Sequence, residues 1–365
     1  MSPWIPEHPK CVAEGLSPEL RCQSRVLHIE GETLYASRGL ELVTSLDGGN
    51  TFQTVARAPG DLIERTLARD SLAERILRTG IQGIVPLPSG DLIANVRGSM
   101  LFLARGEDRF TFAHRIGRGK QPVGLCVHPS GRTYFGENFP NPGREEVHIY
   151  GSESGQEWDI VGTFPENLLR SIHRIVWDPF RKGMWVLTAG DKSETGLWWT
   201  TDEFRTLEPI LDGETSAKAT TLLPLESGLI LAMDSPDETN YIQHFDPQTG
   251  ELESLAPTSG RVLNSARSNG LWLLSTTVQN RSVPGDQSPV LYASPNGHDW
   301  SLVTRFTRDL HGLDRSGRIF KTPTALLPTG DSALKTVFAC GQALKSAHGT
   351  LMAWTEADIL EQIGS

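Results

Sequence analysis

Short apolar runs broken by Gly, Pro, Ser and Asn recur along the chain, and pairs of them build one repeated unit of strand, tight turn and strand. The unit is read in "VLHIEGETLYAS", "GIVPLPSGDLIANV", "LCVHPSGRTYFG", "RIVWDPFRKGMWVL", "TLLPLESGLILAM", "NSARSNGLWLLS" and "ALLPTGDSALKTVFA". The turns fall near Gly31, Gly90, Gly131, Gly183, Gly228, Gly270 and Gly330, at intervals of about forty to sixty residues. That spacing is close to one four-stranded propeller blade, roughly 40 to 50 residues. The pattern predicts an all-β, seven-bladed β-propeller, with six blades as the alternative, forming a single domain over 1–365. The expected blades are 24–57, 81–117, 121–164, 169–213, 217–257, 261–307 and 318–357. The last is short, so the segment before Arg25 is expected to supply its missing strand and remove an exposed edge. Between the first two blades, Leu62, Leu67, Leu72 and Ile76 with charged neighbours predict one or two short helices within 58–80.

A second repeat lies in the turn after the third strand. "TSLDGGNTF" (44–52) is the fullest copy, and "GSESGQEW" (151–158), "TTDEFRTL" (200–207) and "ASPNGHDW" (293–300) are graded versions at matching places. The Asp caps backbone N–H groups, Gly takes a conformation other residues avoid, and the terminal aromatic packs on its own sheet. This pattern resembles the Asp-box, or BNR, repeat of the sialidase-like β-propellers. The resemblance implies that these turns join third and fourth strands on the face opposite the active site, so chemistry is expected on the other rim.

Composition narrows the classes. Thirty-six Gly and twenty-three Pro in 365 residues suit many short strands, and a net charge of −10 without a basic run argues against nucleic acid. The start "MSPWIPEHPK" lacks a secretory pattern and no run is apolar enough to span a bilayer, so a cytoplasmic protein without membrane contact is expected. Cys126 and Cys340 lie in apolar runs and read as buried thiols, while Cys11 and Cys22 would pair only under oxidising conditions. There is no H-E-x-x-H, H-x-H, acidic calcium loop or phosphate loop, so no cofactor or metal is expected.

On the rim opposite the Asp-box turns, the second-to-third strand corners carry Arg38, Arg97, Glu137, Asn138, Asp191, Asp234, Thr277 and Gln342. The links into the next blade carry Lys120, Arg170, His173, Lys218, Arg261, Arg318 and Lys321. Arginine forks bind carboxylates, and carboxylate pairs hydrogen-bond sugar hydroxyls or act as acid and base. An acidic or decorated glycan satisfies both. Glu137 and Asp191 are the expected catalytic carboxylates, His173 the proton carrier, and Arg38, Arg97 and Arg170 the anion clamp. Lys120, Asn138, Asp234 and Arg261 complete the binding set. Trp198 and Trp199 offer a sugar platform or, on alternate faces of a strand, two packing rings.

The resemblance sets further expectations. Sialidases begin the first innermost strand with Arg-Ile-Pro and use three arginines, a Tyr-Glu nucleophile pair and an Asp acid. Here Arg25 stands in "SRVLHI", Arg38 follows, and Arg261 and Arg318 complete the set; Asp61 and Asp70 are possible acids. The tyrosines fall within strands and make no Tyr-Glu pair. The reading is therefore a glycosidic-bond hydrolase acting on an acidic or decorated oligosaccharide, with a polysaccharide lyase or a non-catalytic propeller that binds a protein or glycan as alternatives.

Overall fold

The computed structural model describes residues 13–69, 79–119, 124–190, 194–212, 218–235, 238–278, 288–309 and 322–364. Strands joined by tight turns satisfy their backbone by pairing with sequence neighbours, and each sheet meanders in this way. Residues 81–115, 126–164, 171–212 and 219–258 each form a four-stranded antiparallel sheet in chain order. A fifth such sheet combines Thr324–Leu326, Thr336–Gln342 and Leu351–Thr355 with Glu19–Leu20 from the other end of the chain. The remaining sheet has ten strands. In it, four antiparallel strands over 25–57 and four over 262–306 are bridged by Thr329–Ser332, which runs parallel to the inner strand of each. Ala13–Gly15 adds an outer edge beside Ser301–Phe306.

Inner strands of successive sheets lie against one another, as Ser171–Asp178 does with Ala219–Pro224 and the latter with Val262–Ser268. This radial order is a β-propeller, with five sheets standing apart as blades. Its core is not one mass. Apolar clusters fill the gaps between neighbouring sheets: Ile93, Met100 and Phe102 meet Phe135 and Trp158 in one, and Val26, Ile29 and Leu34 meet Phe338 and Leu351 where the ends of the chain come together. Each fully buried Leu, Ile or Phe contributes about 1.5–3 kcal/mol, so wedges between sheets hold the ring.

Five inner strands share one irregularity. The register slips at Leu27, Gln82, His173, Thr220 and Leu263, in each case one or two residues after pairing begins. A bulge of this kind re-aims the residues beside it.

The third-to-fourth strand turns are held by their own side chains. Asp47 accepts from Asn50 N at 3.1 Å, Thr51 N at 2.9 Å and Thr51 Oγ1 at 2.6 Å, while Ser45 Oγ accepts from Gly49 N at 2.9 Å. Asp202 repeats this with Thr206, and Asn296 takes the same place, accepting from His298 N and Asp299 N at 2.9 Å. In the second copy the acid is not the cap: Gly155 N donates to Ser152 Oγ at 2.8 Å and Glu153 turns away to pair with Arg132. Trp158 and Trp300 donate their indole N–H to the turn glycine carbonyls at 3.1 and 2.8 Å.

Bonds from Thr51 and Ser45 hold the Asp47 carboxyl down at about 2, against an ordinary 3.8. A depressed carboxylate stabilises the fold above its unfolded pKa, and that support fades as pH falls towards the folded value. Asp47→Asn should therefore melt below the native protein at pH 7, with the gap closing between pH 4 and pH 2. Thermal melts at pH 7, 4 and 2 check it; a constant gap rules out the carboxylate as its source.

The insertion between the first two blades contains an eight-residue helix, Leu62–Arg69. Asp61 starts it with a reciprocal cap: Glu64 N donates to Asp61 Oδ1 at 2.8 Å and Asp61 N donates to Glu64 Oε2 at 3.0 Å. Asp61 is thus occupied as a cap.

Candidate functional site

Because each sheet meanders outwards, its second-to-third turns and the links between sheets share one rim, opposite the rim that bears the Asp47-type turns. The residues expected to converge on the link rim are mostly engaged by neighbours, and Arg261 with Asp234 is the pair formed within the expected set. Glu137 is 2% exposed and receives Arg118 through both oxygens, with Nε to Oε1 at 3.0 Å, while His148 N donates to Oε2 at 2.9 Å. Its backbone is fixed as well: Ile172 N, from the next sheet, donates to Glu137 O at 2.9 Å. Asn138 Nδ2 donates to Ile172 O at 3.0 Å. Arg97 pairs with Glu64 of the insertion helix, and this contact, ahead of the Asp61 N–H, pulls the Glu64 carboxyl below its ordinary range. Arg261 pairs with Asp234, Nη2 to Oδ2 at 3.0 Å, and Arg144 pairs with Glu194. Opposite charges placed on one rim neutralise each other before a ligand arrives. Lys120 and Asp191 lie outside the described residues, as do Asp70, Arg318 and Lys321.

Arg170, His173, Asp234 and Arg261 do form one electrostatic neighbourhood across three sheets. Burial lowers the His173 pKa first; Asp234 opposes this, and the guanidiniums of Arg174, Arg170 and Arg261 reinforce it. The imidazole is neutral at pH 7. Arg38 lies elsewhere. Trp198 packs edge-on against Phe164 at 5.1 Å and Trp199 against Trp185 at 4.3 Å, so the two rings fill the spaces on either side of their sheet.

A cavity of about 400 Å³ opens on the link rim where the chain ends meet. Arg25 and Arg38 line it with Glu41, Gln342 and His348, and neither Arg97, Glu137 nor His173 does. Arg38 Nε donates to Ser24 Oγ at 2.8 Å, and its guanidinium lies 5.7 Å from the Phe52 ring. Arg25 Nη1 donates to Gln82 Oε1 at 2.8 Å. His348 Nδ1 accepts from Ala343 N at 3.1 Å, which leaves the proton on Nε2. Cys340 also lines the cavity, and burial pushes its thiol up to about 12, so it is protonated and inert. A volume within the range of small-ligand sites, with two guanidiniums, one carboxylate and two amides, suits an anionic ligand that also carries hydroxyls.

The larger cavity, about 700 Å³, sits on the opposite rim among His28, Glu30, Pro88, His128, Arg267 and Asp331. It is broad and shallowly enclosed, and its walls are hairpin turns. The smaller cavity differs in gathering two guanidiniums, where the larger has one. Among the described residues no three His, Cys, Asp or Glu side chains converge to hold a metal ion.

Arg118 and His348 were missed by sequence reasoning. Arg118 stands in "GRGK", where a charge two residues from Lys120 was the available signal; His348 follows the last corner with no motif.

No family model and no curated protein matches the sequence. Solved structures resemble the fold at distant identity. A chain in the crystal structure of the mitotic checkpoint complex is 9% identical with a TM-score of 0.53, covering 97% of each chain. TolB from Acinetobacter baumannii is 12% identical with a TM-score of 0.45, covering 77% of this chain and 62% of its own. The GH74 xyloglucanase from Xanthomonas campestris is 12% identical with a TM-score of 0.41, covering 77% of this chain and 52% of its own. This chain thus spans less than two thirds of the length of the latter two. Such identities speak to fold alone.

Proposed function

We propose that this chain is a seven-bladed propeller with Asp-box-type turns that binds an acidic or decorated glycan in the cavity between its first and last blades. Support for the blade count comes from the two four-stranded runs inside the ten-stranded sheet, which add to the five separate sheets. The observation that carries the function is the presence of Arg25 and Arg38 in one ligand-sized cavity. Guanidiniums receive a carboxylate in a fixed plane; Glu41, Gln342 and His348 supply acceptors and donors for sugar hydroxyls. Cleavage of a glycosidic bond asks for two carboxylates, about 5 Å apart for retention or 6.5–9.5 Å for inversion. Glu41 is the one carboxylate that lines the cavity among the described residues, and Glu137 is engaged by Arg118. Binding without hydrolysis is the reading this geometry favours.

Calorimetric titration with glucuronate- and sialate-terminated oligosaccharides, beside their neutral counterparts, tests the proposal. Acidic ligands should bind and neutral ones at least about tenfold more weakly; Arg38→Ala should cost the acidic ligands about tenfold, or ~1.4 kcal/mol. Equal affinity for neutral sugars, or an indifferent Arg38→Ala, would remove the carboxylate clamp. Product release in the same panel would reinstate the hydrolase or lyase, and silence towards every glycan would turn the search to a protein partner.

A further inference from the structure

The inner strand Ser171–Asp178 carries a charge that no acid balances among the described residues. Arg174 follows the bulge at His173, and among the described residues its guanidinium makes one hydrogen bond, from Nη1 to the Thr221 hydroxyl at 3.3 Å. Its Nε is buried without an acceptor. The nearby acid, Asp234, is held by Arg261. Burial lowers the guanidinium to about 10 with no carboxylate acting against it, so it remains charged at neutral pH.

Neighbouring strands leave room at this level. Counted from the bulge, Arg174 matches His28, Gly83, Thr221 and Asn264 of other inner strands. A Cβ at Gly83 would meet nothing within 4 Å, and one at Gly124 would meet only the Arg174 side chain, at 3.7 and 3.9 Å. Asn264 presents a second buried donor on this rung: Oδ1 accepts from Leu327 N at 2.7 Å while Nδ2 has no partner among the described residues. The hydrocarbon stem of an arginine fills space beside a glycine, which is a packing role. Methionine would do the same without a charge that must be desolvated, and an unpaired buried charge is costly. Thr221 fixes the guanidinium plane from Nη1, and this leaves the parallel Nε–H and Nη2–H bonds, the edge that matches two oxygens of one anion.

We propose that the Nε and Nη2 edge of Arg174 is a binding site for an oxyanion, a carboxylate or phosphate group, that enters along the propeller axis. The site is separate from the Arg25 and Arg38 cavity, which Arg174 does not line.

The test is the melting temperature of the full chain in an oxyanion-free buffer, titrated with inorganic phosphate, with acetate, and with chloride at matched ionic strength. A ligand that binds only the folded chain raises the melting temperature with the logarithm of its concentration once above Kd. Phosphate, acetate or both should do this, and chloride should not; the responding anion names the group. Arg174→Met should abolish the response, and without anion should melt at or above the native temperature because the unpaired charge is gone. Arg174→Lys keeps the charge but not the two-donor edge and should also lose the response, which serves if the methionine variant does not fold. Arg38→Ala should keep it, so this site and the glycan cavity stand or fall apart. A response to chloride equal to the others, no response to either oxyanion, or a full response in Arg174→Met overturns the proposal.

Discussion

Glu137→Ala should lower the free energy of unfolding by about 3 kcal/mol, read from urea titration, because it takes the buried acceptor from a half-buried arginine and from a backbone N–H at once. Arg118 is fixed by Glu137, leans on the Phe139 ring at 4.8 Å and approaches Glu145 at 3.6 Å, so turning further into water would cost it those contacts. Removing both partners costs less than removing one, since no uncompensated charge remains. The double variant Glu137→Leu with Arg118→Met should thus recover a large part of the loss. Glycan binding in the Arg25 and Arg38 cavity should persist in the double variant. A carboxylate serving as acid or base would behave in the opposite way, with stability kept and turnover lost. A single variant as stable as the native chain would show that the pair supports nothing.

A loss of similar size, about 4 kcal/mol, is expected from Gly330→Ala, for a backbone reason. Gly330 has φ +90, and an added Cβ would stand 2.0 Å from the Ile29 carbonyl oxygen and 2.7 Å from His28 Cε1. Nothing flexible is available to yield at the carbonyl. Thr329–Ser332 must then leave its place beside Arg25–Gly31, and the 2.9 Å contact between His28 Nδ1 and Thr329 Oγ1 goes with it. The ten-stranded sheet would part along that line. Hydrogen exchange should quicken across 28–31 and 329–332 and stay unchanged in the sheet 171–212. Gly31→Ala is the control: it also has positive φ, +58, but a Cβ there meets nothing within 4 Å, so only the conformational cost of about 1 kcal/mol applies. Equal losses in the two variants would refute the clash.

Much of the architecture was legible in the chain because its signals are short. The Asp47 turn closes through bonds to residues three and four positions ahead, and Asp61 caps its helix across three residues. Such chemistry is written in consecutive letters. The bridging strand was not: "TGDS" reads as the turn of a last hairpin, yet it pairs with Arg25–Gly31 from the far end of the chain, which no local pattern encodes.

The candidate site was legible as a set of residue types and not as partnerships. Arg97 finds Glu64 across 33 positions, Arg261 finds Asp234 across 27, and Arg118 finds Glu137 across 19. Arg38, read as one finger of a rim-wide clamp, shares a cavity with Arg25 instead, and Arg174, inside an apolar run, gave no sign of an unanswered charge.

By itself the sequence determined a ring of short antiparallel strands with stapled turns, because alternation, glycine conformation and side-chain caps act over a handful of residues. Tertiary structure alone decided which charges cancel and which remain open to a ligand. Electrostatic pairing depends on distance through space, and closing the ring brings together side chains that the chain keeps far apart.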